Sequence, residues 1–346
     1  MRLHASPLNL PLRHTFTIAR HSEAVAKNVL VHLKAGARTG LGEAAPKGYY
    51  GQSQEGCLST IQRLAPLLKD ADPFDIEHLG TELERRAPDD PAARAAIDIA
   101  LHDLLGQQLG LPLWKYWGLD PSRTPCTSFT IGIDTMAMVR TKVAEAVKYP
   151  ILKIKMGRQD DLEILREVRR LCPTKTLRVD ANCGWTVKES IAKARVLEKL
   201  GVEFIEQPVA PGRNAALRRI QERIGLPLMA DESSLTPCDL PPLRGCVKAI
   251  NIKLVKCGGL RPARRMIETA RACGFKIMLG CMIESSVLVT AAAHLSPLVD
   301  YADLDGGLLL KRDPYRGVRF DRSAKLLLPT APGLGVREVL ATDRHG

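Results

Sequence analysis

Aromatic residues are scarce: Phe, Trp and Tyr make up only 4% of the chain, and no basic run is interleaved with them. The 50 Lys and Arg exceed the 38 Asp and Glu, a net charge of +12. However, stretches such as Arg166/Arg169/Arg170 and Arg261/Arg264/Arg265 are interspersed with glutamate, so nucleic-acid binding is not expected. No run of about 18 apolar residues occurs, so no membrane-spanning helix is expected. Arg13, His14 and Arg20 interrupt the place where the apolar core of a signal peptide would lie, so none is expected. The nine cysteines, scattered from Cys57 to Cys281, include no CxxC pair or zinc-type Cys/His spacing. They read as buried thiols of a cytoplasmic, reducing compartment. There is no Gly-x-Ser-x-Gly elbow for nucleophilic catalysis. None of the eight histidines has a convincing partner, and His102 and His294 read as satisfied core residues.

What is present has the texture of a large globular protein. Hydrophobic residues make up 45% and charged residues 25% of 346 residues, enough for about two domains or one barrel with an attached unit. Residues 29–33 and 39–44 read as a hairpin, and 55–70 and 73–86 as helices. A third helix is expected from Pro91 to Leu109, where Ala96, Ile97, Ala100, Leu101, Leu104 and Leu105 are spaced for one apolar face, and Gly110-Leu111-Pro112 stops it. The first 120 residues therefore form an α+β unit.

From Thr127 the pattern changes. Eight short apolar runs follow, at 127–133, 151–156, 176–181, 202–206, 227–231, 249–254, 276–280 and 301–305. Between them lie amphipathic helices, strongest at 137–148, 160–171, 187–200, 213–223, 260–273 and 285–295. The alternation predicts a (β/α) barrel. No Gly-rich fingerprint supports an open dinucleotide-binding sheet. The tail after Gly306 is expected to return to the N-terminal unit.

The ionisable residues at the strand ends carry the chemistry. Lys155, Asp180, Glu206, Asp231 and Lys253 recur at intervals of 25, 26, 25 and 22 residues, close to the roughly 25 residues of one strand, one helix and two loops. In a barrel they meet at one mouth, the face where catalytic residues gather. Alternation places Lys153 with Lys155, and Asn251 with Lys253, on the inward side. Three converging carboxylates call for a cation, and an all-oxygen set selects Mg²⁺, with Mn²⁺ as a substitute. The lysines supply bases: crowding Lys153, Lys155 and a cation into one desolvated mouth is expected to lower their pKa values. Lys253, four strands from Lys155, would approach a substrate from the opposite side. Lys256 reads as a surface residue.

These motifs resemble the enolase superfamily in its muconate-lactonizing subgroup, and within it the dipeptide epimerases. The resemblance runs through A-A-I-D-I-A-L-H-D-L-L-G (95–106), K-I-K (153–155), V-D-A-N (179–182), I-E-Q-P (205–208), A-D-E-S (230–233), N-I-K-L-V-K-C-G-G (251–259) and C-M-I-E-S-S (281–286). It implies a modified (β/α)7β barrel over 121–310, an α+β capping domain over 1–120, and a tail over 311–346 that returns to the cap. It also implies Mg²⁺-dependent proton transfer at the C-terminal residue's α-carbon of a dipeptide, L-Ala-D/L-Glu or a related one. Asp180, Glu206 and Asp231 would be the metal ligands, Lys155 and Lys253 the acid/base pair, and Lys153 an electrostatic support, with Asn182, Gln207 and Glu232 behind them.

Asp303 and Asp305 form a pair similar to the epimerase signature and would meet an α-ammonium group. One departure is Gly307, where proline is expected. Arg20, in the N-terminal loop that would close over the site with Tyr49, Tyr50 and Gly51, resembles an arginine presented to an acidic side chain. Thr130 would form part of the pocket wall. Cycloisomerase, o-succinylbenzoate synthase and N-acylamino-acid racemase activities on the same barrel stay open, as does, more remotely, a non-catalytic anion or nucleic-acid binder. No membrane partner is implied, and a homo-oligomer is compatible with the pattern.

Overall fold

The computed structural model describes residues 1–339. Three antiparallel strands, β1 (Arg2–Ile18), β2 (His21–Ala35) and β3 (Arg38–Ala44), form a sheet in that order. Against it lie α1 (Gln54–Leu68), α2 (Ile76–Arg86) and α3 (Pro91–Leu109). The hairpin of the sequence reading is β2 and β3, paired from Val29↔Ala44 to Ala35↔Arg38. The long strand β1 was not expected. It holds Pro7 and Pro11, which a central strand would exclude, but it lies at the sheet edge, where a missing N–H costs nothing.

Helix α3 has the expected bounds but not one apolar face: every residue from Ala92 to Gly106 is buried. Small side chains make this possible, because β3 approaches so closely that a Cβ on Gly42 would overlap the Ala96 carbonyl oxygen. His102 is the satisfied core residue expected, its Nδ1 2.8 Å from the Asp98 carbonyl.

After the single turn α4 (Leu113–Tyr116), eight parallel strands follow: β4 (Phe129–Ile131), β5 (Ile151–Lys155), β6 (Thr176–Asp180), β7 (Val202–Glu206), β8 (Leu228–Ala230), β9 (Ala249–Ile252), β10 (Lys276–Gly280) and β11 (Tyr301–Asp303). They pair in sequence order, and a bridge from Thr127 to Ala302 closes the barrel. Outside run α5 (Met136–Glu145), α6 (Asp161–Leu171), α7 (Val187–Lys199), α8 (Asn214–Gln221), α9 (Leu254–Cys257), α10 (Leu260–Ala272) and α11 (Ser286–Ala293). Two 3₁₀ turns replace the helix after β8, and among the described residues no α-helix follows β11.

Parity decides what fills the barrel. Leu152, Ile154, Leu177, Val179, Ile205 and Ile250 face the helices in the main core. Inside, Phe204, Met229, Ala249 and Met278 form a plug, and Arg178 lies over the Phe204 and Tyr301 rings at 5.2 and 5.0 Å. The charged layer of the site rests on this floor.

The cap grips the barrel through two helix starts. Asp98 of α3 accepts from Leu260 N at 2.5 Å, at the positive end of α10, and Glu43 of β3 accepts from Ser285 N at 3.0 Å, at the start of α11. The tail touches both units. Leu334 N donates to Asp103 of α3 at 2.7 Å, while Val318 N donates to Thr290 of α11 at 2.9 Å and Thr127 N to Ala324 O at 2.9 Å. Thus the tail does not return to the cap alone but straps it to the barrel. The part of the expected tail at 340–346 lies outside the described residues.

Candidate active site and metal centre

The ends of β5 to β9 bring the expected residues to one mouth. Lys155, Asp180 and Glu206 are each the last residue of a strand and lie side by side in register, Lys155↔Asp180 and Asp180↔Glu206. Asp231 and Lys253 directly follow β8 and β9. One carboxylate oxygen from each of Asp180, Glu206 and Asp231 lies within 4.8 Å of the others, and all three residues are buried. Among the described residues no other group of His, Cys, Asp or Glu converges this way. The donors are all oxygen, which fits a hard divalent cation such as Mg²⁺ and not zinc.

Ammonium groups interleave with these acids. Lys153 Nζ lies 2.7 Å from Glu206, 3.2 Å from Asp180 and 2.8 Å from Asp303. Lys155 meets Asp180 at 2.7 Å, and Lys253 meets Asp231 at 2.9 Å. Burial pulls Lys253 down, but Asp231 and Glu206 outweigh it and hold the group well above the usual lysine range. Lys153 behaves the same way, with burial overcome by Asp303, Glu206 and Asp180. Without a cation in the mouth, Lys153 and Lys253 thus keep their protons, because each ammonium has a carboxylate within contact. Burial and Asp180 push Glu206 up to about 7. Asp180 is buried as deeply, yet Lys155 and Lys153 bring it down to about 2.

Lys256 is not on the surface. It is 5% exposed and donates to the Asp231 carboxylate, to Asp231 O at 2.6 Å and to Asn251 O at 3.0 Å. The signal was present in Lys-Leu-Val-Lys-Cys-Gly-Gly: a single turn closed by Gly258 and Gly259 sets Lys253 and Lys256 on one side. Asn251, whose Nδ2 donates to Glu206 at 2.9 Å, and Ser128, which donates to Asp303, are further groups that the sequence reading left without a role.

Supporting groups sit where strained backbone puts them. Asn182 and Gln207 both have positive φ, 42° and 33°. Asn182 N donates to the Asp180 carboxylate at 2.9 Å, and Gln207 Oε1 accepts from Asp231 N at 2.9 Å, so one loop fixes a carboxylate and the other the main chain that carries one. The tip of the β1–β2 hairpin reaches over the mouth. A Cβ on Gly157 would lie 2.5 Å from the Ala19 side chain, and Arg20 pairs with buried Glu232 and lies over the Tyr49 ring at 4.7 Å.

A cavity opens here, lined by Lys155, Asp231, Lys253, Asp303, Asp305 and Tyr49 among others. Thr130 and Asn182 share its wall, whereas Arg20 and Gln207 do not line it, and Lys153, Asp180 and Glu206 lie beneath. Lys155 and Lys253 stand on strands four places apart in a closed ring of eight, which sets them on opposite sides of the cavity. Asp305 accepts from Thr130 N at 2.6 Å, and burial and Asp303 raise it to about 6. Gly307 sits in a 3₁₀ turn after β11, where a Cβ would come within 2.9 Å of Asp313.

A barrel with acids at consecutive strand ends and lysines on opposite walls defines an enzyme of the enolase type. Residues 135–338 match the family described as enolase C-terminal domain-like, and residues 5–118 match the N-terminal domain of the mandelate racemase/muconate lactonizing enzymes. The chain belongs to this family. It is 39% identical to an L-Ala-D/L-Glu epimerase of Bacteroides thetaiotaomicron, over 98% of this chain and 88% of the relative. The dipeptide epimerase of Enterococcus faecalis, solved with Mg and L-Leu-L-Tyr, superposes with a TM-score of 0.91 at 33% identity, covering 97% of this chain and 99% of that one. The dipeptide epimerase of Methylococcus capsulatus, solved with Mg and L-Arg-D-Lys, gives 0.89 at 35% identity over 96% and 98%. No helix among the described residues is long and apolar enough to cross a membrane.

Proposed function

We propose that this chain is a Mg²⁺-dependent dipeptide epimerase that inverts the α-carbon of the substrate's C-terminal residue, with L-Ala-D/L-Glu and related dipeptides as its substrates. The observation that carries the reading is the opposition of Lys155 and Lys253 across a cavity that also holds Asp303 and Asp305. Asp180, Glu206 and Asp231 would hold Mg²⁺, which when bound supplies stabilisation for charge building on the substrate carboxylate.

The rest is done by the chain itself. One of Lys155 and Lys253 takes the α-proton at its Nζ, and the other returns a proton to the opposite face. A lysine accepts a proton only when neutral. A bound cation would take up part of the carboxylate charge that holds Lys253 high, leaving burial, the largest influence on it, to favour the neutral amine. Lys153, held by three carboxylates, keeps positive charge beneath the reacting carbon. Asp303 and Asp305 meet the α-ammonium, and Thr130 holds Asp305. Arg20 and Glu232 close the mouth from the side of the hairpin. The main-chain N–H of Asn182 holds the Asp180 carboxylate, and the Gln207 side chain holds the main chain at Asp231.

We take residues 1–120 as the cap, 121–310 as the catalytic barrel and 311–346 as the tail. All nine cysteines are free, which fits a reducing cytoplasm. The test is to incubate the enzyme with Mg²⁺, D₂O and a pooled set of L,L-dipeptides and follow mass. Deuterium at the C-terminal α-carbon of some dipeptides, with the second epimer appearing, is the expected result. A pool left unlabelled would exclude the reading.

A further inference from the structure

A second cavity, open to solvent, adjoins the first and shares Phe16, Thr130 and Leu309 with its wall. Its lining carries more positive than negative charge, five Lys and Arg against Glu145 and Asp313. Arg13, Lys148, Lys311 and Arg312 line it, and among the described residues none of them has a carboxylate within 4.0 Å. The other ionisable side chains around it are already engaged. His14 pairs with Glu145 at 2.9 Å, Lys142 with Asp134 at 2.9 Å, and Asp313 accepts from Ser286 at 2.8 Å. An apolar strip completes the wall, where Phe129 stacks on Tyr149 with ring centroids 4.6 Å apart.

The position of this cavity relative to the substrate follows from Thr130. Its N–H bonds Asp305 at 2.6 Å, and it belongs to both cavities, so the second one opens from the aspartate end of the site. When a dipeptide's α-ammonium is held at Asp303 and Asp305, the side chain nearest the second cavity is that of its amino-terminal residue. A cationic wall there favours a carboxylate, and arginine's planar fork suits one.

We propose that this cavity receives an acidic side chain on the substrate's amino-terminal residue, so that dipeptides opened by glutamate or aspartate are preferred. The inference rests on the dipeptide-epimerase reading and refines its amino-terminal alanine. The cations are solvent-exposed, so the preference is a sum of modest contributions and is screened by salt.

L-Glu-L-Ala and L-Gln-L-Ala differ in one charge at nearly constant shape. With the full-length enzyme, Mg²⁺ and D₂O, kcat/KM for α-deuteration is expected to be roughly five- to tenfold higher for the glutamate peptide. The ratio should shrink in about 0.5 M NaCl and approach one in the double variant Lys311→Gln/Arg312→Gln. Equal values for the two peptides, or a ratio that the double variant leaves unmoved, overturns the proposal while labelling of both peptides keeps the epimerase reading intact. Absence of label in every dipeptide overturns that reading and this proposal together.

Discussion

Lys256 and Asp231 form a buried pair in which one ammonium bonds both the carboxylate and the main-chain carbonyl, the latter at 2.6 Å. Asp231 thus answers to two lysines, Lys253 from the catalytic side and Lys256 from behind. Lys256 holds the acid in place, and Lys253 is free to exchange protons with a substrate.

Removing the rear partner leaves charge under-compensated in a site of low polarity. Lys256→Met is therefore expected to destabilise the fold by about 3 kcal/mol, read as a lower urea midpoint at unchanged slope. Stability equal to that of the parent would show that Asp231 does not need the pair.

Three buried carboxylates gain from a bound cation, and a ligand that binds only the folded state stabilises it. Mg²⁺ is expected to raise the Tm, and Glu206→Gln or Asp231→Asn to reduce that shift. EDTA should remove activity, and Mg²⁺ or Mn²⁺ restore it. A shift of equal size in both variants would place the metal elsewhere.

Asp303 already faces Lys153 at 2.8 Å, so Asp303 and Asp305 meet a further cation only if the substrate carries one. N-acetylation of an otherwise good dipeptide is expected to lower kcat/KM about 100-fold, the loss of a buried charge-assisted contact. An acetylated peptide that turns over as fast as the free one would point instead to an N-acylamino-acid racemase.

His294 bears on stability rather than catalysis. Its Nδ1 accepts from Trp114 N at 3.3 Å, and its Nε2 lies 3.0 Å from Leu334 O. The neutral ring satisfies both, and a second proton would face the Trp114 N–H. Burial lowers its pKa to about 4. The unfolded chain binds this proton first, so the contribution is complete above about pH 6.5 and fades as pH falls towards 4, by up to about 3 kcal/mol. Asp103, raised by burial to about 6, has the opposite sign and gains as pH falls. Comparison with His294→Gln isolates the histidine: the variant should lose less stability between pH 6.5 and 4. Parallel pH profiles would remove His294 as the cause.

Much of the barrel was legible because its signals are local. Apolar runs mark the strands, and ionisable residues at one repeat length mark the mouth, so Lys155, Asp180, Glu206, Asp231 and Lys253 could be placed together before any coordinates. Strand β1 was hidden by Pro7 and Pro11, whose tolerance depends on its position at the sheet edge. The burial of Lys256 and the strap formed by the tail depend on contacts between residues far apart in sequence, such as Leu334 with Asp103. The raised pKa of Lys253 likewise depends on which carboxylate lies beside it, and spacing alone does not reveal that.

Lys155→Ala and Lys253→Ala, each purified with Mg²⁺ and assayed by chiral separation of the product dipeptides, address the two-sided proton transfer most directly. Each variant is expected to lose epimerisation by roughly 10²–10⁴-fold while keeping the Mg²⁺-induced rise in Tm. Epimerisation at the parental rate in either one would mean that a single base serves both faces.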